Sequence, residues 1–383
     1  MLERPSAGPD AQAAVLVCLD FGEVSHPDAV EEMVQLARSA GAVRHALVEG
    51  RRVRPDPRFF AGSGKVAEIG RVARELNAAF VIFNHSLSGA QQRNLERELG
   101  RRVLDRTELI LEIFAQRART SEGKVQVELA QLEHLSTRLV RGWTHLERQR
   151  GGLGKTGGPG ETQLELDKRY IARRMRVLKD KLHQMQQRRS LQRRARVRGA
   201  VLSVSLVGYT NAGKSSLFNA LAHADAFEAD RLFATLDTTT RRIHVPDAGP
   251  VTLSDTVGFI RELPHTLVES FRATLEETVH ADLLLHVVDS SSAVREQQIA
   301  DVNAVLREIG ADSIPQIQVW NKIDLWENGT AHGPAAERDE YGRISRVFVS
   351  ARTGAGLAEM RTAIMEAAQR RATAAPAAVA ISI

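Results

Sequence analysis

Hydrophobic and polar positions follow two alternating patterns over the first third of the chain. Short apolar runs alternate with stretches in which apolar residues recur every three or four positions. The apolar runs are Val15 to Leu19, Val43 to Val48, Phe80 to Phe83 and Arg102 to Leu104, and the helical stretches are Pro27 to Ala40, Gly64 to Leu76, Ser88 to Leu99 and Thr107 to Arg117. This alternation predicts an open α/β layer with mostly parallel strands. Because its sequence suggests no catalytic group, we predict that residues 1–119 form a docking domain.

Residues 120–198 have the pattern of two long amphipathic helices. Apolar residues recur at spacings of three and four between Ser121 and Arg150, and again from Glu161 to Met185. A glycine-rich segment, residues 151–160, separates the two stretches. We therefore predict an antiparallel helical hairpin with a glycine tip and arms roughly 40 Å long, at about 1.5 Å per residue.

The second arm of this hairpin is strongly basic. From Lys168 to Arg198 it holds thirteen lysines and arginines against one acid, Asp180, whereas the whole chain has a formal net charge of +5. Solvated helix faces normally mix both signs. The one-sided charge favours a phosphate-rich partner, and we predict that the arm binds RNA.

The second half of the chain opens with a strand–turn–helix pattern. The apolar run 200–207 leads into Gly208-Tyr209-Thr210-Asn211-Ala212-Gly213-Lys214-Ser215, and a helical pattern follows. This is a complete G-x4-G-K-[ST] phosphate loop, in which backbone N–H groups and the positive end of a helix converge on a polyphosphate. Lys214 is predicted to reach the β- and γ-phosphates, and the Ser215 hydroxyl is predicted to bind Mg²⁺.

Four further elements follow in the order that a guanine-nucleotide switch requires. They are the polar stretch Phe233-Ala234-Thr235-Leu236-Asp237-Thr238-Thr239-Thr240, the D-x-x-G element Asp255-Thr256-Val257-Gly258, the N-K-x-D element Asn321-Lys322-Ile323-Asp324, and Ser350-Ala351-Arg352. A threonine of the polar stretch can complete the coordination of Mg²⁺ and contact the γ-phosphate, and we select Thr239. Asp255 is predicted to hold Mg²⁺ through water, and the Gly258 N–H to sense the γ-phosphate.

The last two of these elements predict which base is bound. The Asp324 carboxylate can accept both N1–H and N2–H of guanine, a pair of donors that adenine lacks. Asn321 is expected to brace the phosphate loop, the Lys322 stem to cover the ring, and the backbone of residues 350–352 to meet guanine O6. We predict a Ras-like G domain over residues 199–371, closed by a helix from Leu357 to Arg371 and followed by a flexible tail, residues 372–383.

The sequence lacks one residue that GTP hydrolysis commonly uses. Phe259 follows Gly258, where many Ras-like GTPases carry the glutamine that positions the attacking water. An apolar ring cannot do this, so we expect slow intrinsic turnover that a partner accelerates, and we assign no general base. The residues predicted to stabilise the charge of phosphoryl transfer are Lys214, Ser215, Thr239, Asp255 and Gly258.

Composition narrows the class of protein. The chain has 383 residues, of which 43% are hydrophobic and 26% charged, as in a globular protein of two or three domains. Its single cysteine, Cys18, lies in an apolar run, which favours a buried thiol and excludes an intrachain disulfide. The N-terminus lacks the pattern of a signal peptide, and no apolar run approaches the roughly 18 residues of a membrane span. We predict a cytoplasmic protein without stable membrane insertion.

Several segments together resemble the HflX family of ribosome-associated GTPases. They are Gly151-Gly152-Leu153-Gly154, Gly158-Pro159-Gly160-Glu161-Thr162-Gln163-Leu164-Glu165, the phosphate loop, Phe233-Ala234-Thr235-Leu236-Asp237 and Asp255-Thr256-Val257-Gly258-Phe259-Ile260. The likeness covers nearly the whole chain. Many relatives carry an arginine just ahead of G-P-G-E, whereas this chain has Lys155, Thr156 and Gly157, so contacts made by the tip are expected to differ.

The resemblance implies a GTPase that binds the 50S subunit or the 70S ribosome through rRNA and splits stalled ribosomes under stress such as heat. It also implies that the hairpin tip reaches toward the peptidyl transferase centre. We predict a monomer that binds GTP with Mg²⁺ and does not bind DNA. A GTPase for ribosome assembly or tRNA modification, a non-hydrolytic GTP-gated RNA-binding switch, and an ATP-dependent RNA-remodelling protein remain open, although ATP use leaves Asp324 unexplained.

Overall fold

A computed structural model of the protein describes residues 13–22, 26–149, 159–197, 201–222, 232–233, 235–261, 267, 271–326 and 335–374. Contacts within the chain divide it into two compact units. The first comprises residues 1–116 and 125–181, and the second comprises residues 117–124 and 182–383. An N-terminal α/β domain, a helical middle region and a P-loop domain follow one another along the sequence.

The first unit is built on a four-stranded parallel sheet with the strand order β2-β1-β3-β4. The elements are β1 (Ala14–Asp20), α1 (His26–Ser39), β2 (His45–Arg51), α2 (Ser63–Glu75), β3 (Phe80–Phe83), α3 (Gly89–Leu99), β4 (Arg102–Leu104) and α4 (Arg106–Arg117). The α/β layer predicted from the sequence is confirmed. Strand β2 runs further than its apolar run because all seven of its residues pair with β1.

Strand β1 shows why its sequence is continuously apolar. It pairs with β2 on one edge and β3 on the other, and Ala14 to Leu19 are buried. Cys18 lies on this strand and is fully buried. Burial raises the pKa of its thiol to about 12, with the nearby Glu49 carboxylate adding to the shift. The predicted buried thiol is therefore confirmed.

The helical middle region begins with α5 (Ser121–Gln149), which a buried ion-pair network fixes to the first unit. Arg138 on α5 pairs with Asp105 and, at 2.9 Å, with Glu108. Burial raises the pKa of Glu108, whereas the Arg138 charge opposes that shift. Because removing one partner of a buried pair costs about 3–5 kcal/mol, this network ties α5 firmly to the segment that follows β4.

The second helix of the middle region is α6 (Pro159–Val197). Both long helices predicted from the sequence are confirmed, with α6 starting two residues before Glu161. Arg174 and Lys179 on α6 pair with Glu128 and Glu133 on α5, at 2.7 and 2.9 Å. The predicted glycine tip lies outside the described residues, apart from the backbone of Pro159 and Gly160 at the start of α6.

The second unit contains a seven-stranded sheet with the strand order β10-β11-β9-β8-β5-β7-β6. Its elements are β5 (Leu202–Gly208), α7 (Lys214–Ala222), β6 (Thr239–Val245), β7 (Gly249–Asp255), α8 (Arg272–Val279), β8 (Leu283–Asp289), α9 (Arg295–Glu308), β9 (Gln316–Asn321), a 3₁₀ turn (Ile323–Leu325), β10 (Ala336–Arg338), β11 (Ile344–Phe348) and α10 (Leu357–Ala374). The closing helix extends three residues beyond Arg371, and the rest of the predicted tail, from residue 375, lies outside the described residues.

The direction of these strands positions the nucleotide elements. Strands β5, β7, β8, β9 and β11 are mutually parallel, and the edge strands β6 and β10 are antiparallel to their neighbours. The phosphate loop, D-x-x-G, N-K-x-D and 350–352 segments each lie where a parallel strand ends, so they share one edge of the sheet. Among the described residues, no helix is long and apolar enough to cross a membrane.

Candidate guanine-nucleotide site

The phosphate loop joins the end of β5 to the start of α7. Two of its glycines, Gly208 and Gly213, have φ angles of 149° and 91°. A Cβ atom at Gly208 would overlap the carbonyl oxygen of Val287, and one at Gly213 would overlap the side-chain amide of Asn321. Any side chain at either position would therefore displace the loop from the neighbouring strands, which explains both glycines of the motif.

Lys214 lies beneath this loop with 6% of its surface exposed. Its Nζ donates hydrogen bonds to the carbonyl oxygens of Gly208 and Tyr209, at 3.1 and 2.7 Å. Burial lowers the pKa of Lys214 to about 8, and the Asp255 carboxylate opposes that shift. The loop thus holds an ammonium that a polyphosphate would stabilise in its charged form.

A buried histidine on β8 lies close enough to sense the lysine charge. His286 is 2% exposed, and burial together with the charge of Lys214 lowers its pKa to about 4. It is therefore neutral at physiological pH and adds no second positive charge beside Lys214. This agrees with the structural role that an isolated histidine in an apolar strand suggests.

Three side chains from separate elements meet beside the loop. The Ser215 and Thr235 hydroxyl oxygens lie 2.7 Å apart, and both donate to Asp255 Oδ2, at 2.7 and 3.0 Å. Burial raises the pKa of Asp255, although the hydrogen bonds from Ser215 and the charge of Lys214 favour its ionised form. The start of α7, the 232–238 segment and the end of β7 therefore form one oxygen cluster.

The threonine in this cluster corrects our sequence-based choice. We selected Thr239, but Thr239 begins β6, where it pairs with Asp255 in the antiparallel ladder. Thr235, four residues earlier, places its hydroxyl against Ser215 and Asp255. The position of β6 decides between the two, because a residue whose backbone belongs to the sheet cannot also lie in the loop that folds over the site.

The oxygen cluster fits a magnesium ion. Mg²⁺ prefers oxygen ligands and keeps several waters, so it needs few protein groups. Asp255 Oδ1 and Thr210 Oγ1 are buried and have no hydrogen-bond partner among the described residues. Since buried polar atoms are normally paired, the Asp255 oxygen indicates unmet demand for a hydrogen-bond donor or a cation at the cluster, and the Thr210 hydroxyl indicates unmet demand in the phosphate loop. Ser215 and Thr235 are the direct ligands that the geometry favours.

The segment after Asp255 is tied to the phosphate loop through its backbone. Phe259 N–H donates to the Gly208 carbonyl at 3.1 Å, and Thr210 N–H donates to the Phe259 carbonyl at 2.7 Å. The Phe259 ring is only 1% exposed. A Cβ at Gly258 would lie 2.8 Å from Thr210 Cγ2, so this glycine allows the close approach. Phe259 is thus an apolar anchor and cannot position a water molecule.

The base-recognition residues form a second hydrogen-bonded group. Asn321 Nδ2 donates to the Ala212 carbonyl at 2.9 Å, and its Oδ1 accepts from Ala351 N–H at 3.0 Å. Asn321 therefore links the phosphate loop to the 350–352 segment. Ser350 Oγ donates to Asp324 Oδ1 at 2.7 Å, which orients the carboxylate. These contacts bring together residues predicted separately from three sequence elements.

The remaining predicted residues occupy different places around the site. Phe233, Leu236 and Val257 are buried, so their side chains hold the loops in position. Thr256 is also buried, and its hydroxyl donates to a carbonyl of β5 at 2.6 Å. Ala234 lies outside the described residues.

One residue of the site, Asp289, escaped our reading of the sequence. Asp289, at the end of β8, pairs with Lys322 Nζ at 2.6 Å, and Lys322 itself has a φ of 66°. The ion pair holds the lysine stem where a base ring could stack. Asp289 could have been found from its position, because β8 runs parallel to β9 and ends beside Asn321.

Comparisons with known protein families cover all three parts of the chain. Family models described as "GTP-binding GTPase N-terminal", "GTP-binding GTPase Middle Region" and "50S ribosome-binding GTPase" match residues 27–115, 117–196 and 203–322. Together these matches span most of the chain.

Curated relatives match over most of their length. GTPase HflX of Escherichia coli (strain K12) is 50% identical over 366 residues, covering 96% of this chain and 84% of that protein. GTPase HflX of Magnetococcus marinus is 48% identical over 346 residues, covering 89% and 79%. The crystal structure of a complex of SsGBP and GDP has a TM-score of 0.51 at 24% identity, over 94% of this chain and 99% of that one, and this likeness shows the fold alone.

Proposed function

Because this chain belongs to the HflX family of GTPases, we propose that it couples GTP hydrolysis to binding and dissociation of the ribosome. Its reaction is the hydrolysis of GTP to GDP and phosphate. The observation that carries the proposal is the oxygen cluster of Ser215, Thr235 and Asp255 beside the buried Lys214. This arrangement supports the proposal, because a polyphosphate with its metal ion needs a cation and oxygen ligands of this kind.

We assign the phosphate contacts to the phosphate loop and Lys214. On binding, the Lys214 ammonium would exchange its two backbone carbonyl acceptors for phosphate oxygens, and the new negative charge would raise its lowered pKa. Gly258 would present its backbone N–H to the γ-phosphate. These groups stabilise charge that grows during phosphoryl transfer, which is the main contribution of such sites to the rate.

Ser215 and Thr235 would hold Mg²⁺ directly, and Asp255 would hold it through a water molecule. When bound, the metal would supply positive charge that offsets the negative charge of the phosphates. Thr235 would leave Asp255 when it turns to the metal, so the 232–238 segment would order around GTP and relax after hydrolysis. We assign no residue to activate water, because Phe259, which follows Gly258, is apolar and buried.

Asp324, Asn321 and Ser350 would select guanine. The Ser350 hydroxyl donates a hydrogen bond to one oxygen of the Asp324 carboxylate. This contact would orient the carboxylate toward N1–H and N2–H of the base. With adenine these acceptors would lose their donors, so the carboxylate favours guanine. The Lys322 stem, fixed by Asp289, would cover one face of the ring.

The 50S subunit is the partner that we propose for this GTPase. The model that matches residues 203–322 is described as a "50S ribosome-binding GTPase". On α6, Arg169, Arg173, Arg176 and Lys181 are exposed, which suits contact with the phosphates of rRNA. We further propose that the protein acts in the cytoplasm as a monomer, does not bind DNA, and separates the subunits of stalled 70S ribosomes under stress.

Turnover measured with and without ribosomal particles tests this proposal. Purified protein is assayed for GTP hydrolysis alone and with 50S subunits, 30S subunits or 70S ribosomes, alongside a Lys214→Ala variant. We expect slow turnover alone and strong stimulation by 50S and 70S, both lost in Lys214→Ala. Equal slow turnover in all four mixtures would contradict ribosome gating and favour an RNA-binding switch that does not depend on hydrolysis.

A further inference from the structure

The carboxylate of Asp237 accepts hydrogen bonds from the start of helix α5. Arg119 N–H and Thr120 N–H donate to Asp237 Oδ2 at 2.8 and 3.0 Å, and the Thr120 hydroxyl donates to Oδ1. All three residues belong to the second compact unit, although 117 positions separate Thr120 from Asp237 in sequence. Three donors on one carboxylate make a specific contact, because such charge-assisted bonds are roughly twice as strong as neutral ones.

Thr120 also caps α5. Its hydroxyl accepts a hydrogen bond from Gly123 N–H at 2.9 Å, and its carbonyl accepts one from Lys124 N–H at 3.1 Å. Asp237 thus holds the residue that starts the helix, and its negative charge lies at the positive end of that helix. A Cβ at Gly123 would overlap Asp237 Oδ1, so this glycine leaves room for the carboxylate.

Asp237 lies two residues after Thr235, whose hydroxyl contacts the side chains of Ser215 and Asp255. We propose that Asp237 is a positioning residue: its bonds to Arg119 and Thr120 set the reach of Thr235 toward the metal, and they make the start of α5 respond to the nucleotide. This inference rests on the assignment of Thr235 to Mg²⁺ made above. Only Leu236 separates Thr235 from Asp237. Movement of Thr235 should therefore strain or break the hydrogen bonds of Asp237.

A role confined to capping the helix predicts a different behaviour. A cap would stabilise α5 equally with GTP and with GDP, and its loss would leave the metal requirement unchanged. A positioning role predicts that the amides of residues 119 and 120 exchange hydrogen more slowly with a GTP analogue than with GDP. It also predicts that removing the Asp237 hydrogen bonds raises the Mg²⁺ requirement while turnover at saturating Mg²⁺ is largely kept.

Two variants remove these hydrogen bonds in different ways. Asp237→Asn keeps the shape and removes the charge, and Gly123→Ala inserts a methyl group where the carboxylate lies. Alanine favours a helix more than glycine does, so Gly123→Ala should not weaken α5 itself. The matched controls are Asp247→Asn, the same change on an exposed turn where φ is 59°, and Ser121→Ala, at the exposed first position of α5.

The test compares hydrogen exchange of the 117–124 amides and the Mg²⁺ dependence of GTP hydrolysis in full-length protein. We expect wild-type protein and both controls to show about tenfold slower exchange with the GTP analogue than with GDP. Asp237→Asn and Gly123→Ala should both abolish that difference and need about tenfold more Mg²⁺ for half-maximal turnover, while still binding GDP. Wild-type behaviour in a folded Asp237→Asn or Gly123→Ala protein would overturn the inference.

A Thr235→Ala variant tests the assignment of Thr235 to Mg²⁺ separately from the positioning role of Asp237. If Thr235→Ala raises the Mg²⁺ requirement and Asp237→Asn does not, the site stands and the positioning role fails. If Thr235→Ala leaves the requirement unchanged, the assignment of Thr235 fails first. Should Asp237→Asn not fold, as shown by loss of GDP binding, Gly123→Ala decides the outcome through the same two measurements.

Discussion

Lys214 and Asp255 are both held where burial opposes their charges. Burial lowers the pKa of Lys214 to about 8 and raises that of Asp255. Such opposed shifts within one small site are typical of a functional site, because a structural pair would be arranged to satisfy itself. Here the lysine donates to loop carbonyls, and one carboxylate oxygen of Asp255 has no partner among the described residues. A polyphosphate with its metal ion would satisfy both.

The lowered pKa of Lys214 predicts a pH dependence of GTP affinity. Above about pH 8 the free protein loses the ammonium charge that binds phosphate, so affinity should fall by up to about tenfold per pH unit until the pKa of the complex is reached. Between about pH 8 and pH 10.5, the ordinary pKa of a lysine, the unfolded chain binds more protons than the folded protein does. The nucleotide-free protein should therefore become more stable as the pH rises through this range.

Nucleotide titrations at pH 7.5, 8.5 and 9.5 measure this effect. The Lys214→Ala variant is the control, and it should bind GTP more weakly at every pH with a flatter profile. An unchanged pH profile in that variant would show that another group titrates.

Thr235 and Thr239 can be separated by the same substitution at each position. Thr235→Ala removes a hydroxyl from the oxygen cluster, so the Mg²⁺ concentration for half-maximal hydrolysis should rise by about tenfold or more. Thr239→Ala changes a residue at the start of β6 and should leave that requirement near the wild-type value. The opposite pattern in a magnesium titration would restore Thr239 as the ligand.

At the scale of secondary-structure elements, the parallel strands bring most of the nucleotide site together. Because β5, β7, β8, β9 and β11 end at one edge, loops that are far apart in sequence meet there. This is why order and strand position led us to group the phosphate loop, Asp255, Asn321 and Asp324, which the structure places at one edge of the sheet. The two long helices were likewise predictable, since their apolar spacing is regular.

Some interactions could not be predicted from the sequence, because the order and spacing of residues do not determine them. Thr235 and Thr239 are equally plausible ligands in a polar stretch, and the start of β6 decides between them. The hydrogen bonds between Asp237 and Thr120 join positions 117 apart and involve a backbone donor, which leaves no mark in the sequence. Arg138 looks like a surface residue of an amphipathic helix, yet it is buried against Asp105 and Glu108.

The exposed bases of α6 predict how ribosome affinity depends on charge. Changing Arg169, Arg173 and Arg176 together to Glu should weaken 50S binding and make it less sensitive to salt. The slope of log affinity against log salt should become shallower by about 0.7–0.9 for each phosphate that the protein no longer neutralises. Reversal of Arg71, Arg74 and Arg97, exposed bases of the N-terminal domain, makes the same charge change as a control. Equally weakened binding in both variants would contradict the specific role that we assign to α6, because a general charge effect or contact by the predicted docking domain would then suffice.

At the scale of the whole molecule, helix α5 contributes residues to both compact units. Helix α5 starts at Ser121, next to the residues that Asp237 holds, and ends at Gln149. Arg138 then fixes the same helix in the buried network of the first unit. Residues 121–124 of this helix thus belong to the second unit, and residues 125–149 belong to the first.

Light scattering of 70S ribosomes mixed with the protein tests the central claim most directly. The account predicts that scattering falls, as subunits separate, with wild-type protein and GTP, and that it stays constant with GDP or with Lys214→Ala. Ribosomes that remain intact with GTP, or that separate equally with GDP, would contradict a GTP-driven dissociation factor.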